Sequence, residues 1–132
     1  MLIVFFRPVV QGTNDLWAYH TGEQLEEDIT VLLNATFTVL PTTTILVSSV
    51  LNMPEVSTYP EALQYFNNAL AKLPAVFTPR GLKLFFVDAN RLLGMCSAWP
   101  NTDCCKAYDV HPSGPGYEKL AHVWFQALVP LL

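Results

Sequence analysis

Three runs of this chain are built around consecutive apolar residues: "LIVFF" followed by "VV", "TTTILVSSVL", and "LKLFFV". Each is rich in β-branched or aromatic residues, and each gives way to turn-forming or polar residues: Gly12, "NMPEVSTYP" and "DAN". A strand with one wet face alternates apolar and polar residues, whereas uniformly apolar strands belong in a sheet covered on both faces. The intervening segments carry a different period. In "EQLEEDITVLLNATFTVL", Leu25, Ile29, Leu32, Leu33, Phe37 and Leu40 recur at helical spacing behind an acidic first turn, and Pro41 marks the break after them. "EALQYFNNALAKL" repeats the stripe through Leu63, Phe66, Leu70 and Leu73, and "GYEKLAHVWFQAL" places Tyr117, Leu120, Ala121, Trp124 and Leu128 on one face of a closing helix. The order strand, helix, strand, helix, strand, helix predicts the α/β class with a parallel sheet.

The chain has 132 residues, enough for one domain spanning 1–132 that buries roughly two-thirds of its unfolded surface. No internal repeat, low-complexity tract or linker divides it. Hydrophobic residues make up 52% and charged residues only 14%, so some apolar surface is expected to lack cover within the domain. The net charge is −4 and no Lys/Arg run is present, which argues against a nucleic-acid partner. Every apolar run is interrupted well short of the ~18–20 residues a membrane span needs. The opening "MLIVFFRPVVQG" has neither a basic segment before its apolar run nor a small-residue cleavage site after it, so it is not read as a signal peptide.

The cysteines cluster in "CSAWPNTDCC", without the second pair or spaced histidines that a zinc site requires. A short disulfide from Cys96 to either Cys104 or Cys105 is compatible with that spacing and leaves one thiol over. Asn34 to Thr36 form the glycosylation acceptor "NAT", which points to an oxidising, secretory setting, or are simply unmodified helix residues.

Ligands of parallel α/β sheets bind beyond the carboxyl ends of the strands. The polar loops expected there are "QGTNDLW", "SSVLNMPEV" and the long region from "DANRLLG" to "PSGPGY". In "GTND", Gly12 permits a tight turn, and the Asn14 amide is a hydrogen-bond donor suited to an oxyanion; equally, Asn14 or Asp15 can cap the next segment. In "YDVHPSG", Pro112 holds His111 toward an extended conformation, and Ser113 or Gly114 can cap the following helix with Pro115 in its first turn. An imidazole titrates near neutrality and suits a general base, with a carboxylate such as Asp109 to orient it; the plainer reading is a solvent-facing His beside an Asx-type turn.

Taken together and in this order, "GTND" after a buried strand and "DVHPSGPGYEKLAHVW" opening the final helix resemble the SGNH hydrolases, or GDSL-type esterases and lipases. The resemblance covers essentially the whole chain. It implies a three-layer α/β/α flavodoxin-like fold and hydrolysis of small esters or acylated carbohydrates by Ser-His-Asp chemistry. No metal or organic cofactor is implied, and the setting is secreted or extracytoplasmic. By that similarity His111 is the general base, Asp109 its orienting acid, and Asn14 with Gly12 the oxyanion site.

The chain departs from the family pattern in two places. No "GDS"-like block follows a strand, so no residue matches the family nucleophile, and the chain corresponds to the C-terminal two-thirds of the family domain, truncated at its N-terminus. Ser48, Ser49 and Ser113 lie on no strand-to-helix turn of the required kind; Ser49 is expected to line a pocket and Ser113 to cap a helix. Without its nucleophile a triad loses about a millionfold in turnover, so the isolated chain is expected to be inactive, or else a nonenzymatic binding module built on the same scaffold. The family also places its Asp three residues before the His, where this chain has Tyr108; Asp109 stands two before, and Asp103 is a more distant alternative. The strand ending at Gln11 would then be an apolar edge, open to self-association. An unrelated flavodoxin-like domain is disfavoured, because no Gly-rich phosphate loop follows any strand.

Overall fold

The computed structural model describes residues 18, 20–51, 60–91 and 111–132. Helix α1 (Gly22–Val39) leads into strand β1 (Thr44–Ser48); helix α2 (Pro60–Phe77) and a 3₁₀ turn (Thr78–Arg80) lead into strand β2 (Lys83–Val87); helix α3 (Gly114–Leu128) ends in a second 3₁₀ turn (Val129–Leu131). The strands pair in parallel, with Thr44 opposite Lys83 and Ser48 opposite Val87. Parallel neighbours require a crossover, and α2 lies between them in the chain. The α/β class and the parallel pairing of these two strands thus agree with the sequence pattern. The first apolar run, including the edge ending at Gln11, and the cysteine cluster lie outside the described residues.

Side chains that alternate along each strand are buried on opposite faces. Ile45, Val47, Leu84 and Phe86 join Leu25, Ile29, Leu33 and Phe37 of α1 and Leu63, Phe66, Leu70, Leu73 and Phe77 of α2 in the larger core. On the other face Leu46 and Val87 meet Val123, with Trp124, Ala127 and Leu131 packed alongside. Helices therefore cover both sides, which is why β1 tolerates a nearly continuous apolar sequence.

The helix faces differ in detail from the sequence expectation. In α1, Leu32 and Leu40 are exposed, because the core needs only the stripe Leu25, Ile29, Leu33 and Phe37. In α3, Tyr117 and Ala121 face outward, and the buried positions are Gly116 and Val123. Leu120, Val123, Ala127 and Leu131 describe a second stripe at helical spacing, and it is Val123 of this stripe that meets β2.

The helix ends follow from local chemistry. Thr21 caps α1 reciprocally: its hydroxyl accepts from the Gln24 amide at 3.2 Å, and the Gln24 side chain accepts from the Thr21 amide at 2.8 Å. Next to this cap Gly22 lies against α2, where a Cβ would stand 2.8 Å from the Ala62 carbonyl oxygen and from Tyr65 Cβ. Glycine is required there for close approach. Across the same contact Glu26 accepts the Tyr65 hydroxyl hydrogen bond and, helped by partial desolvation, holds that phenol above its ordinary value of 10.0. Helix α2 runs through Pro74, although Pro in a helix interior costs about 3 kcal/mol. The last turn is held in place by Phe77, which is 0% exposed and pairs with Phe37 at a ring separation of 5.6 Å. Burying such a ring stabilises by roughly 1.5–3 kcal/mol and aromatic pairing adds roughly 0.5–1.5, enough together to offset the proline. Gly81, at φ 77, then reverses the chain into β2.

Candidate functional site

The chain emerges from β1 at Ser49 and from β2 at Asp88, side by side at the carboxyl end of the sheet. The parallel ladder continues one step further, with the Ser49 amide donating to the Val87 carbonyl at 3.1 Å. Asp88 Oδ1 accepts from the Ser49 hydroxyl at 3.3 Å and from the Asn90 amide at 3.1 Å, the second contact closing an Asx turn. Ser49 Oγ in turn accepts from that same Asn90 amide at 3.3 Å. Side chains thus tie the two strand ends together beyond the last ladder bond.

Val50, 2% exposed, extends past the end of β1 and takes its partners from side chains. Asn67 Oδ1 accepts from the Val50 amide at 2.8 Å, and Asn67 Nδ2 donates to the Val50 carbonyl at 2.9 Å. Asn90 Nδ2 donates to the same carbonyl at 3.0 Å. The Asn67 carboxamide, reaching from α2, does what the backbone of a neighbouring strand would do. Replacing it by Ala strands a buried N–H, while Asn90 still serves the carbonyl. The Asn67→Ala chain is expected to lose about 2–3 kcal/mol in urea unfolding, with faster hydrogen exchange at the Val50 amide.

Beside this network lies a cavity of about 460 Å³, within the range of small-ligand sites. Its polar wall is Ser49, Gln64, Asn67, Asn68, Asp88 and Asn90; Leu63 and Phe86 supply apolar wall. Ser49 therefore lines a pocket and Asp88 begins the third polar loop, so two of the three loop regions singled out in the sequence meet at one place. Asn67 and Gln64 were missed. The pair "QYFNN" sits on a helix stripe, and nothing in its spacing signals that an amide would turn toward the strand ends.

Of the residues matched to the hydrolase pattern, the structure describes His111. It is exposed, in the bend ahead of α3, and is not among the residues lining the cavity. Pro112 and Ser113 behind it are buried, and Ser113 Oγ caps α3 by accepting from the Gly116 amide at 3.2 Å, with Pro115 in the first turn. Both capping expectations for this loop hold, with Ser113 as the cap. Gly12, Asn14, Asp109, Tyr108 and Asp103 lie outside the described residues. Ser48 is buried within β1, and the buried Ser49 has its hydroxyl hydrogen-bonded between Asp88 and the Asn90 amide.

The glycosylation triplet lies inside α1. Asn34 Nδ2 donates to the Thr30 carbonyl at 2.9 Å, its Oδ1 accepts from Arg80 at 2.9 Å, and Thr36 Oγ1 donates to the Leu32 carbonyl at 2.8 Å. In the folded chain these side chains stabilise helix and turn. Among the described residues no group of His, Cys, Asp and Glu side chains is arranged to hold a metal ion, and no helix is long and apolar enough to cross a membrane. Compared with known proteins, the chain matches no family model, no curated protein and no solved structure.

Proposed function

We propose that the chain is the base-bearing part of an SGNH-type ester hydrolase with a flavodoxin-like three-layer fold. The observation that carries this reading is the placement of His111: exposed, stiffened by Pro112, and directly ahead of a capped helix that packs on β2 through Val123. That is the context the "DVHPSGPGY" motif calls for. In this reading His111 accepts the proton of a serine hydroxyl as its oxygen attacks the ester carbonyl, then passes it to the departing alkoxide. Water, deprotonated by the same imidazole, releases the acid and restores the serine. Asn14 donates to the carbonyl oxygen as it becomes an oxyanion, with Gly12 allowing the close turn, and Asp109 orients the imidazole. Substrates are small esters or acylated carbohydrates in a secreted or extracytoplasmic setting. In this reading the nucleophile is the serine of a "GDS"-like block, a pattern that none of these 132 residues forms. The test is His111-dependent ester hydrolysis by a chain that carries such a block.

A further inference from the structure

We propose that the cavity at the carboxyl ends of β1 and β2 is a binding site for a neutral, hydroxyl-rich ligand of monosaccharide size. The lining decides the chemistry. Its described ionisable member is Asp88, and no Lys, Arg or His is among the described lining residues to receive a phosphate or carboxylate. The rest of the polar wall is hydroxyl and carboxamide, groups that donate and accept as ligand hydroxyls do.

Part of that wall is already committed to the fold. Asn67 serves Val50, and Ser49 is held between Asp88 and Asn90. The rim on α2 is different. Gln64 Nε2 donates to Asn68 Oδ1 at 3.0 Å, an exposed pair one helical turn apart. That bond uses one Gln64 donor and one Asn68 acceptor site, which leaves the Gln64 carbonyl to accept and the Asn68 amide to donate. Asp88 faces them from β2 as a stronger, exposed acceptor. Phe86, half-buried, offers an apolar surface for the C–H face of a sugar ring. A wall with acceptors at Gln64 and Asp88, a donor at Asn68 and the Phe86 ring fits vicinal hydroxyls on a compact ring. His111 is not among the residues that line the cavity, and the proposal rests on that lining alone.

The test is an NMR titration of the full 132-residue chain with methyl β-D-glucopyranoside, N-acetylglucosamine and myo-inositol, following the side-chain amides of Gln64, Asn68 and Asn90. At least one of the three should move these signals saturably. Gln64→Ala and Asp88→Asn should each weaken that binding by about tenfold, because the first removes an acceptor and the second replaces a charged acceptor oxygen by an amide donor, while Asn67 still holds Val50. The proposal is overturned if none of the three saturates, if the signals respond instead to sodium phosphate or ethylammonium, or if both rim variants bind unchanged.

Discussion

Replacing Phe77 by Ala is expected to lower the unfolding free energy by about 3–5 kcal/mol. A domain of this size has roughly 5–15 kcal/mol in total, so the variant should melt far below the parent. The reason is concentrated at one point. Phe77 is 0% exposed, packs its ring on Phe37 of α1, and lies beneath the Arg80 guanidinium at 5.0 Å from the ring centre. It also closes α2 just after Pro74, so its removal leaves the cost of the proline without the burial that offsets it. Arg80 reaches on to Asn34, and the same loss would loosen the contact between the turn and α1. Phe85, 40% exposed on the opposite face of β2, is the control. Phe85→Ala should cost about 1 kcal/mol or less in the same urea titration. Equal losses at the two positions would mean that the larger core is not where the stability resides.

The second large effect concerns chemistry. In a chain that also carries the family's serine block, His111→Ala should lower kcat for p-nitrophenyl acetate by about a millionfold, the scale seen when the base of a serine triad is removed. KM should move little, since the imidazole acts on the serine proton rather than on the bound ester. In the 132 residues alone, His111→Ala should leave the background rate unchanged. Asn14→Ala, which removes an oxyanion donor, should cost about a hundred- to a thousandfold in the serine-containing chain. A large effect of His111→Ala on KM alone would instead mark His111 as a ligand contact.

The period of the apolar residues was enough to reveal the α/β class, the three described helices and the two described strands. Consecutive Ile45, Leu46 and Val47 put apolar side chains on both faces of β1, and the structure covers both. The stripe through Leu63, Phe66, Leu70 and Leu73 fixed the buried side of α2 equally well. Helix ends were harder to read. "TGEQ" holds a capping box, Thr21 with Gln24, that the acidic residues after it obscure, and Pro74 suggests a stop that Phe77 overrides through tertiary burial. In α3 two stripes compete, and the choice between them depends on the sheet that the helix meets.

The site was legible in proportion to how local its determinants are. Ser113 as a cap and His111 ahead of a helix follow from neighbouring residues, as does the placing of Ser49 at a strand end. The clamp of Val50 by Asn67 spans 17 positions, and the Ser49–Asp88 contact spans 39. Such contacts have no signature in spacing, because they depend on how the α2 crossover lays its side chains against the strand ends.

For His111 to act as the base of a serine hydrolase, a nucleophilic serine that none of these residues matches is required. Fluorophosphonate labelling of the protein as its gene encodes it, with the modified peptide identified by mass spectrometry, tests it most directly. A single labelled serine within a "GDS"-like block is expected, together with labelling that fails in the His111→Ala protein. Label on Ser48, Ser49 or Ser113, or no labelled serine anywhere in the encoded protein, would contradict it.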